Sequence, residues 1–267
     1  NIIQKNNLNR KLVQKLSKDF KKIIKEIKVS IENPNNIFNV LSDSYKFNFD
    51  IKDLKRFNKL SNLVIIGMGG SILGSEAIYE CLKKKIKKKI YFFDDINIQK
   101  ISKFKKEVNI KKTVFVVISK SGNSIETLSN FFSLKIIEKV KNNIIIISEK
   151  KDNILYSLSK KLNLFYIEHK DYMGGRYSVL SEVGIVPAYL MGLNISKMRK
   201  NLKKYLINKE AKFLQESATK LANILHQKKI TNLVFLNYSP ELEKFLYWCQ
   251  QLIAESLGKN KKGFFPV

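Results

Sequence analysis

The sequence has few of the residues that mark disulfide-bonded, metal-binding or membrane-spanning proteins. It contains two cysteines and two histidines among 267 residues. Cys81 and Cys249 lie far apart and show no ligand-like spacing, which argues against a disulfide framework and against a metal site of the zinc-ribbon type. No apolar run approaches the roughly 18 to 20 residues that a membrane-spanning helix needs. We therefore expect a protein of a reducing, cytoplasmic compartment, with no membrane partner.

Arginine is also scarce, although the formal net charge is +27. Only four of the 50 basic residues are arginines: Arg10, Arg56, Arg176 and Arg199. Nucleic-acid sites favour the planar guanidinium group, and the lysines here are dispersed. We therefore expect a solvated, lysine-rich surface rather than a nucleic-acid partner. The basic run at residues 83–89 is interpreted as the C-terminal end of a helix that begins after Gly70, where cations complement the helix dipole.

The chain begins at Asn1 rather than at methionine, and no apolar segment follows a basic start. We expect no signal peptide, and a native beginning that lies upstream of Asn1. A hydrophobic content of 44% excludes disorder for most of the chain.

The pattern of apolar residues changes near residue 62. Residues 1–60 are polar, periodic and free of glycine, which predicts a helical N-terminal region. Buried strands are then predicted, with helices between them, at residues 63–66, 91–93, 114–118 and 144–147. Apolar strands that alternate with helices indicate an α/β fold with a parallel sheet.

A second α/β unit is predicted to start late in the chain. Its signals are a helix at 210–227, a strand at 233–236 and a helix at 241–257. We therefore divide the chain into an N-terminal helical region (1–60), a first α/β domain (61–193), and connecting helices with an incomplete second domain (194–267).

The first glycine-rich segment is GMGGSILG at residues 67–74, between a predicted strand and a helix. Open α/β sheets bind ligands at this position. Ile72 occupies the place of the third glycine in the dinucleotide fingerprint, and the Gly-Lys-Ser/Thr of a P-loop is absent. Neither a nicotinamide cofactor nor a nucleoside triphosphate is expected. The alternative is a tight strand-to-helix turn without a ligand.

The second segment, SKSGNSIET at residues 119–127, also follows a predicted strand. Its hydroxyl groups belong to Ser119, Ser121, Ser124 and Thr127. At a helix N-terminus these groups can bind a phosphate without a metal ion. The alternative is an ordinary helix cap made by Ser124 alone.

Two further segments each contain one charged residue that is a candidate for the functional site. In DYMGGRYS, residues 171–178, paired glycines allow close backbone approach before Arg176, although a structural salt bridge would also explain the arginine. In WCQQLIAESLGK, residues 248–259, Gln251 and Glu255 are four residues apart and share one helix face. A solvated helix end is the alternative for Glu255, and Gly258 is the predicted stop.

Taken together, the four segments resemble the glucose-6-phosphate isomerase family, whose members contain two sugar-isomerase (SIS) domains, and this implies a doubly wound, flavodoxin-like parallel sheet. The resemblance runs from about residue 62 to residue 267 and is strongest in GGRYSVLSEVG. It implies a glycolytic and gluconeogenic isomerase that interconverts glucose 6-phosphate and fructose 6-phosphate through a cis-enediol(ate). It also implies a small sugar-phosphate ligand, no cofactor, no metal and a homodimer in the full-length protein.

The resemblance assigns a role to each candidate residue. Gly70 and Ser71 would line the sugar site, and Gln251 would orient the sugar. The phosphate would be held by Ser119, Ser121, Ser124 and Thr127. Lys120 and Arg176 would lie beside the sugar, and Glu255 would be the base. Asn123 and Ser124 stand where relatives often have threonines.

Two residues of the family pattern have no counterpart here. The ring-opening histidine and a second-domain lysine would lie beyond residue 267, because His169 and His226 match neither. We therefore expect an N-terminal portion of such an isomerase, cut inside the second SIS domain and inactive alone. Two rival functions remain: a non-catalytic SIS module that binds a phosphosugar to regulate a partner, and another SIS isomerase that also acts on mannose phosphates.

Overall fold

The computed structural model describes residues 8–207, 209–227, 231–259 and 263–267. Helices and strands are numbered in chain order. The helices are α1 Arg10–Ile31, α2 Ile51–Leu54, α3 Leu73–Leu82, α4 Ile98–Glu107, α5 Ile125–Ser133, α6 Ile137–Val140, α7 Ile154–Leu162, α8 Glu182–Leu190, α9 Ile195–Arg199, α10 Lys204–Ile207, α11 Lys209–His226 and α12 Glu243–Leu257. The strands are β1 Asn62–Ile66, β2 Lys89–Phe93, β3 Thr113–Ile118, β4 Ile144–Ser148, β5 Phe165–Glu168, β6 Asn232–Leu233 and β7 Phe265–Pro266.

Five parallel strands form the main sheet, in the order β2-β1-β3-β4-β5. This order is the flavodoxin-like form of the doubly wound fold. The chain therefore has the parallel α/β architecture that its alternating pattern predicts.

Side chains of the three central strands alternate between two apolar cores, one on each face of the sheet. In β1, Leu63 and Ile65 belong to one core, whereas Val64 and Ile66 belong to the other. Every residue of β1, β3 and β4 is buried. A strand that is covered on both faces consists almost entirely of apolar residues. This explains why these strands are evident in the sequence.

The predicted strands and helices are largely confirmed, with three corrections. The strand β5, which has four residues, lies at one edge of the sheet and is only partly buried, was not predicted. The strand expected at 233–236 is limited to Asn232–Leu233, which pairs with β7. The basic run only begins at the end of α3, where Lys83 is the C-cap; it continues through a 3₁₀ turn, Lys83–Lys85, and reaches β2 at Lys89.

The chain forms two compact units, each built from discontinuous segments. One contains residues Lys46–Met198 and Asn237–Cys249, and therefore the whole five-stranded sheet. The other contains Asn1–Tyr45, Arg199–Leu236 and Gln250–Val267. The domain boundaries expected from the sequence follow the chain order and remain a prediction.

In the second of these units, α1 packs against α11. Asn9 caps α1 by accepting a hydrogen bond from the Leu12 backbone. The fully buried Asn223 of α11 accepts from the backbone nitrogen of Asn9 at 3.2 Å and donates to its carbonyl oxygen at 3.0 Å. The first of these bonds satisfies the N–H of Asn9, a group that the start of a helix leaves without a partner, whereas the carbonyl of Asn9 also accepts from the Val13 backbone at 2.9 Å.

Two loop glycines have a positive φ angle, a backbone conformation that other residues rarely adopt. Gly122, after β3, has φ +70° and Gly192, after α8, has φ +88°. A Cβ on Gly192 would meet no described atom within 4 Å, whereas a Cβ on Gly122 would overlap the side chain of Asn153. Asn153 caps α7 through the Tyr156 backbone at 2.9 Å.

We expect Gly192→Ala to lower the free energy of unfolding by about 1 kcal/mol through backbone strain alone. Gly122→Ala should lower it by about 2 kcal/mol or more, because the methyl group also displaces the cap of α7. Urea titrations of the two variants and the parent measure both changes. Equal losses would contradict the role assigned to Asn153.

Candidate active site

Three of the predicted segments leave the carboxyl edge of the same sheet. The glycine-rich turn follows β1, the hydroxyl-rich loop follows β3, and the segment with Arg176 follows β5. The first two loops come from neighbouring strands whose connections run in opposite directions along the sheet. Ligands of doubly wound folds bind at such a switch point.

The turns after β1 and β5 are in backbone contact. A Cβ on Gly70 would come within 2.6 Å of the Arg176 nitrogen and 2.8 Å of the Gly175 carbonyl oxygen. Only glycine allows this approach. Ser71 ends the 3₁₀ turn Gly69–Ser71, directly beside this contact. Gly70, Ser71 and the backbone of Arg176 are thus brought together, and their roles towards a sugar remain a prediction.

The hydroxyl groups of the loop after β3 form a cluster at the N-terminus of α5. Ser119 Oγ lies 2.9 Å from Ser124 Oγ and 3.5 Å from Ser121 Oγ. Ser124 is the N-cap residue of α5, yet its side chain makes no capping hydrogen bond. The first-turn N–H groups of a helix have no intrahelical partner and attract anions. The simpler explanation, a serine that only caps the helix, therefore does not fit.

Thr127 lies one turn further along α5. It is 1% exposed, and its Oγ1 finds no hydrogen-bond partner among the described residues. Buried hydroxyl groups are normally paired. This hydroxyl group therefore remains available to an acceptor that enters the loop.

Lys120 connects the loop after β3 to the segment after β5. Its Nζ donates a hydrogen bond to the Asp171 carbonyl at 2.8 Å and lies 3.5 Å from Glu149 Oε1. Glu149 also pairs with Lys151. The ammonium of Lys120 thus fixes two site loops relative to each other, a function that the sequence did not indicate.

Gln251 and Glu255 lie one turn apart on α12 and belong to the other compact unit. The Gln251 Nε2 donates to Glu255 Oε1 at 2.9 Å. Glu255 is exposed, and α12 ends at Leu257, before Gly258. The expected helix face and helix stop are both confirmed, and the amide fixes the direction of one carboxylate oxygen.

Two buried ionisable groups near these loops, Glu76 and His169, were not among the predicted site residues. Glu76 on α3 is 3% exposed and pairs with Lys244 at 3.1 Å. Burial raises the pKa of the Glu76 carboxyl, although the ammonium of Lys244 opposes the rise. His169 follows β5 and is 2% exposed, and burial lowers the pKa of its imidazole. No feature of the local sequence separates such residues from exposed ones.

Neither a metal site nor a membrane span is found in the part of the chain that the structure describes. Its histidine, cysteine and acidic residues form no group that could hold a metal ion. None of its helices is sufficiently long and apolar to cross a bilayer.

Comparison with known proteins assigns a family. The phosphoglucose isomerase family model matches residues 51–263. A glucose-6-phosphate isomerase from Methanocaldococcus jannaschii is 30% identical in an alignment 275 residues long, which spans 94% of this chain and 68% of that protein. The chain spans between 54% and 68% of the lengths of three such curated relatives.

Solved structures agree on the fold. A hypothetical protein from Thermus thermophilus has a TM-score of 0.77 at 22% identity, over 96% of this chain and 65% of that chain. A glucose-6-phosphate isomerase from Chlamydia trachomatis has a TM-score of 0.62 at 21% identity, over 94% of this chain and 57% of that chain. The SIS-type fold implied by the four segments is confirmed. With a family model that matches most of its length, the chain belongs to the phosphoglucose isomerase family.

Proposed function

We propose that the protein interconverts glucose 6-phosphate and fructose 6-phosphate through a cis-enediol(ate). The observation that carries the proposal is the cluster of Ser119, Ser121 and Ser124 at the N-terminus of α5, beside the turn that holds Arg176. Family membership supplies the reaction class, and the cluster supplies a site for the phosphate that both sugars share.

The phosphate group would lie in the loop after β3. Serine hydroxyl groups, together with the N–H groups and dipole at the start of α5, attract an oxyanion without a counter-ion. Ser124 Oγ contacts Ser119 rather than the helix backbone, and either hydroxyl group can turn towards a phosphate oxygen. Thr127 adds a hydroxyl group that has no partner among the described residues. Gly70 and Ser71 would contact the sugar, and Lys120 would help to shape the pocket.

The proton transfer would use Glu255 as the base. After ring opening, its carboxylate takes the proton from C2 and returns it to C1, while a proton passes from O2 to O1, so that the aldose becomes a ketose. The hydrogen bond from Gln251 would hold the carboxylate in one orientation. Negative charge develops on the substrate oxygen as the proton leaves, and the fixed guanidinium of Arg176 would stabilise it.

A homodimer and a cytoplasmic location complete the proposal. Phe213 and Leu214 of α11 are 68% and 39% exposed, and a second copy could bury such apolar surface. Both cysteines are free thiols, which suits a reducing compartment. Sedimentation velocity of the full-length protein should give the mass of a dimer, and a monomer at micromolar concentration would contradict this part of the proposal.

Glu255→Gln in the full-length protein tests the catalytic assignment. The amide keeps the size of the side chain but cannot accept the proton, so we expect kcat to fall by about 10² to 10⁴-fold. Exchange of the C2 hydrogen of glucose 6-phosphate with deuterated solvent, followed by NMR, measures the step directly. Affinity for the substrate should change little.

Glu243→Gln is the matched control, because Glu243 is an exposed carboxylate on the same helix, paired with the Tyr247 hydroxyl group. It should exchange at the parent rate. Exchange at that same rate in the Glu255 variant would remove Glu255 from the mechanism.

The combined change Ser121→Ala and Ser124→Ala tests the phosphate site. Phosphate binding is largely the same in the ground and transition states, so KM for fructose 6-phosphate should rise about 10-fold while kcat changes little. Ser133→Ala, an exposed serine at the end of α5, should leave both constants unchanged. An unchanged KM in the double variant would place the phosphate elsewhere.

A further inference from the structure

The indole of Trp248 makes a specific hydrogen bond to the segment that carries Arg176. Its Nε1 donates to the carbonyl oxygen of Arg176 at 2.8 Å. Trp248 is half-buried on α12 and packs edge-on against Phe245, with ring centroids 5.9 Å apart. It is also the only tryptophan in the chain.

This hydrogen bond fixes one of the two peptide groups that flank the Cα atom of Arg176. The other flanking carbonyl, that of Gly175, accepts a hydrogen bond from Ser178 Oγ at 2.6 Å. The backbone of Gly70 lies against the same peptide. Because peptide groups are planar, fixing both of them sets φ and ψ of Arg176 and hence the direction of its Cα–Cβ bond.

A second contact holds the same end of α12. Lys244, one turn before Trp248, pairs with the buried Glu76 of α3 at 3.1 Å. α12 therefore has an ion pair and a directed hydrogen bond on the face that contains Lys244 and Trp248. The ion pair keeps the helix in place, so that the indole N–H can meet the Arg176 carbonyl at a short distance.

We infer that Trp248 is a positioning residue that orients Arg176 through its main-chain carbonyl. This inference rests on the proposed function, in which the Arg176 guanidinium stabilises developing negative charge. Such stabilisation depends on donors that are already in place when the charge forms. Loss of the indole N–H should therefore loosen the guanidinium and slow the chemical step more than it weakens substrate binding.

The test removes the N–H and keeps the shape. Because Trp248 is the only tryptophan, replacing tryptophan with benzothienylalanine during biosynthesis changes this residue alone among residues 1–267. The sulfur analogue fills the same volume but donates no hydrogen bond. In the full-length protein, with Trp248→Phe as a second variant, we expect kcat to fall roughly 10-fold and KM to stay within about 2-fold.

Tyr247→Phe is the matched control, since it removes one aromatic hydrogen-bond donor from the neighbouring position of the same helix. Its kcat should equal that of the parent. Loss of kcat in the benzothienylalanine protein and in Trp248→Phe, but not in Tyr247→Phe, supports the inference. A parent-like kcat in the benzothienylalanine protein, with Arg176→Lys impaired, overturns it and leaves the proposed function intact.

A second readout does not depend on turnover. The Nε–H resonance of Arg176 can be assigned by comparison with Arg176→Lys, in which this resonance is absent. Its ¹⁵N heteronuclear NOE should fall when the indole N–H is removed and stay unchanged in Tyr247→Phe. An unchanged NOE in the benzothienylalanine protein contradicts the inference, even if the parent shows no isomerase activity and the proposed function fails.

Discussion

The contact between the backbone of Gly70 and the peptide that joins Gly175 to Arg176 is the constraint on which the rest of the site depends. It joins the turn after β1 to the segment after β5, and two strands, β3 and β4, lie between these strands in the sheet. The loop after β3 therefore leaves the sheet between two turns that touch each other. Lys120 strengthens this closure from the middle, because it donates to the carbonyl of Asp171. A side chain at position 70 would push the two turns apart.

The choice of arginine at position 176 follows from geometry rather than charge, because this chain has lysine in abundance. The other arginines with described contacts also use the planar group. Arg56 stacks on Phe57 and Phe165 at 4.7 and 4.9 Å, and Arg199 donates to the carbonyls of Val40 and Ser42. Arg176 itself lies over the ring of Tyr177 at 4.5 Å. A guanidinium group is planar and has fixed hydrogen-bond donors, so it can stabilise a negative charge at a defined position. The ammonium group of lysine is more flexible and does this less well.

Much of the fold, but less of the site, could be predicted from the sequence. The central strands were evident because both of their faces are covered, whereas β5 has only four residues, is partly buried, ends in the charged Glu168 and was missed. The hydroxyl cluster was evident because it is local to residues 119–127. The contacts of Gly70 with Gly175 and of Trp248 with Arg176 join segments more than 70 residues apart in the sequence. No local pattern reports such contacts, because they arise only when the sheet order brings the loops together.

The ion pair between Glu76 and Lys244 shows what such long-range polar contacts contribute. Burying a carboxylate is costly, and one oxygen of Glu76 finds no hydrogen-bond partner among the described residues. An apolar pair of similar size would often be at least as stabilising. A buried ion pair is nevertheless directional, since a displaced Lys244 would leave an uncompensated charge inside the protein. Because α3 begins directly after the turn that contains Gly70 and Ser71, the pair ties the start of α12 to the helix that follows this turn. The ion pair therefore contributes to the orientation of α12. The hydrogen bond from Trp248 on this helix in turn fixes the main chain at Arg176.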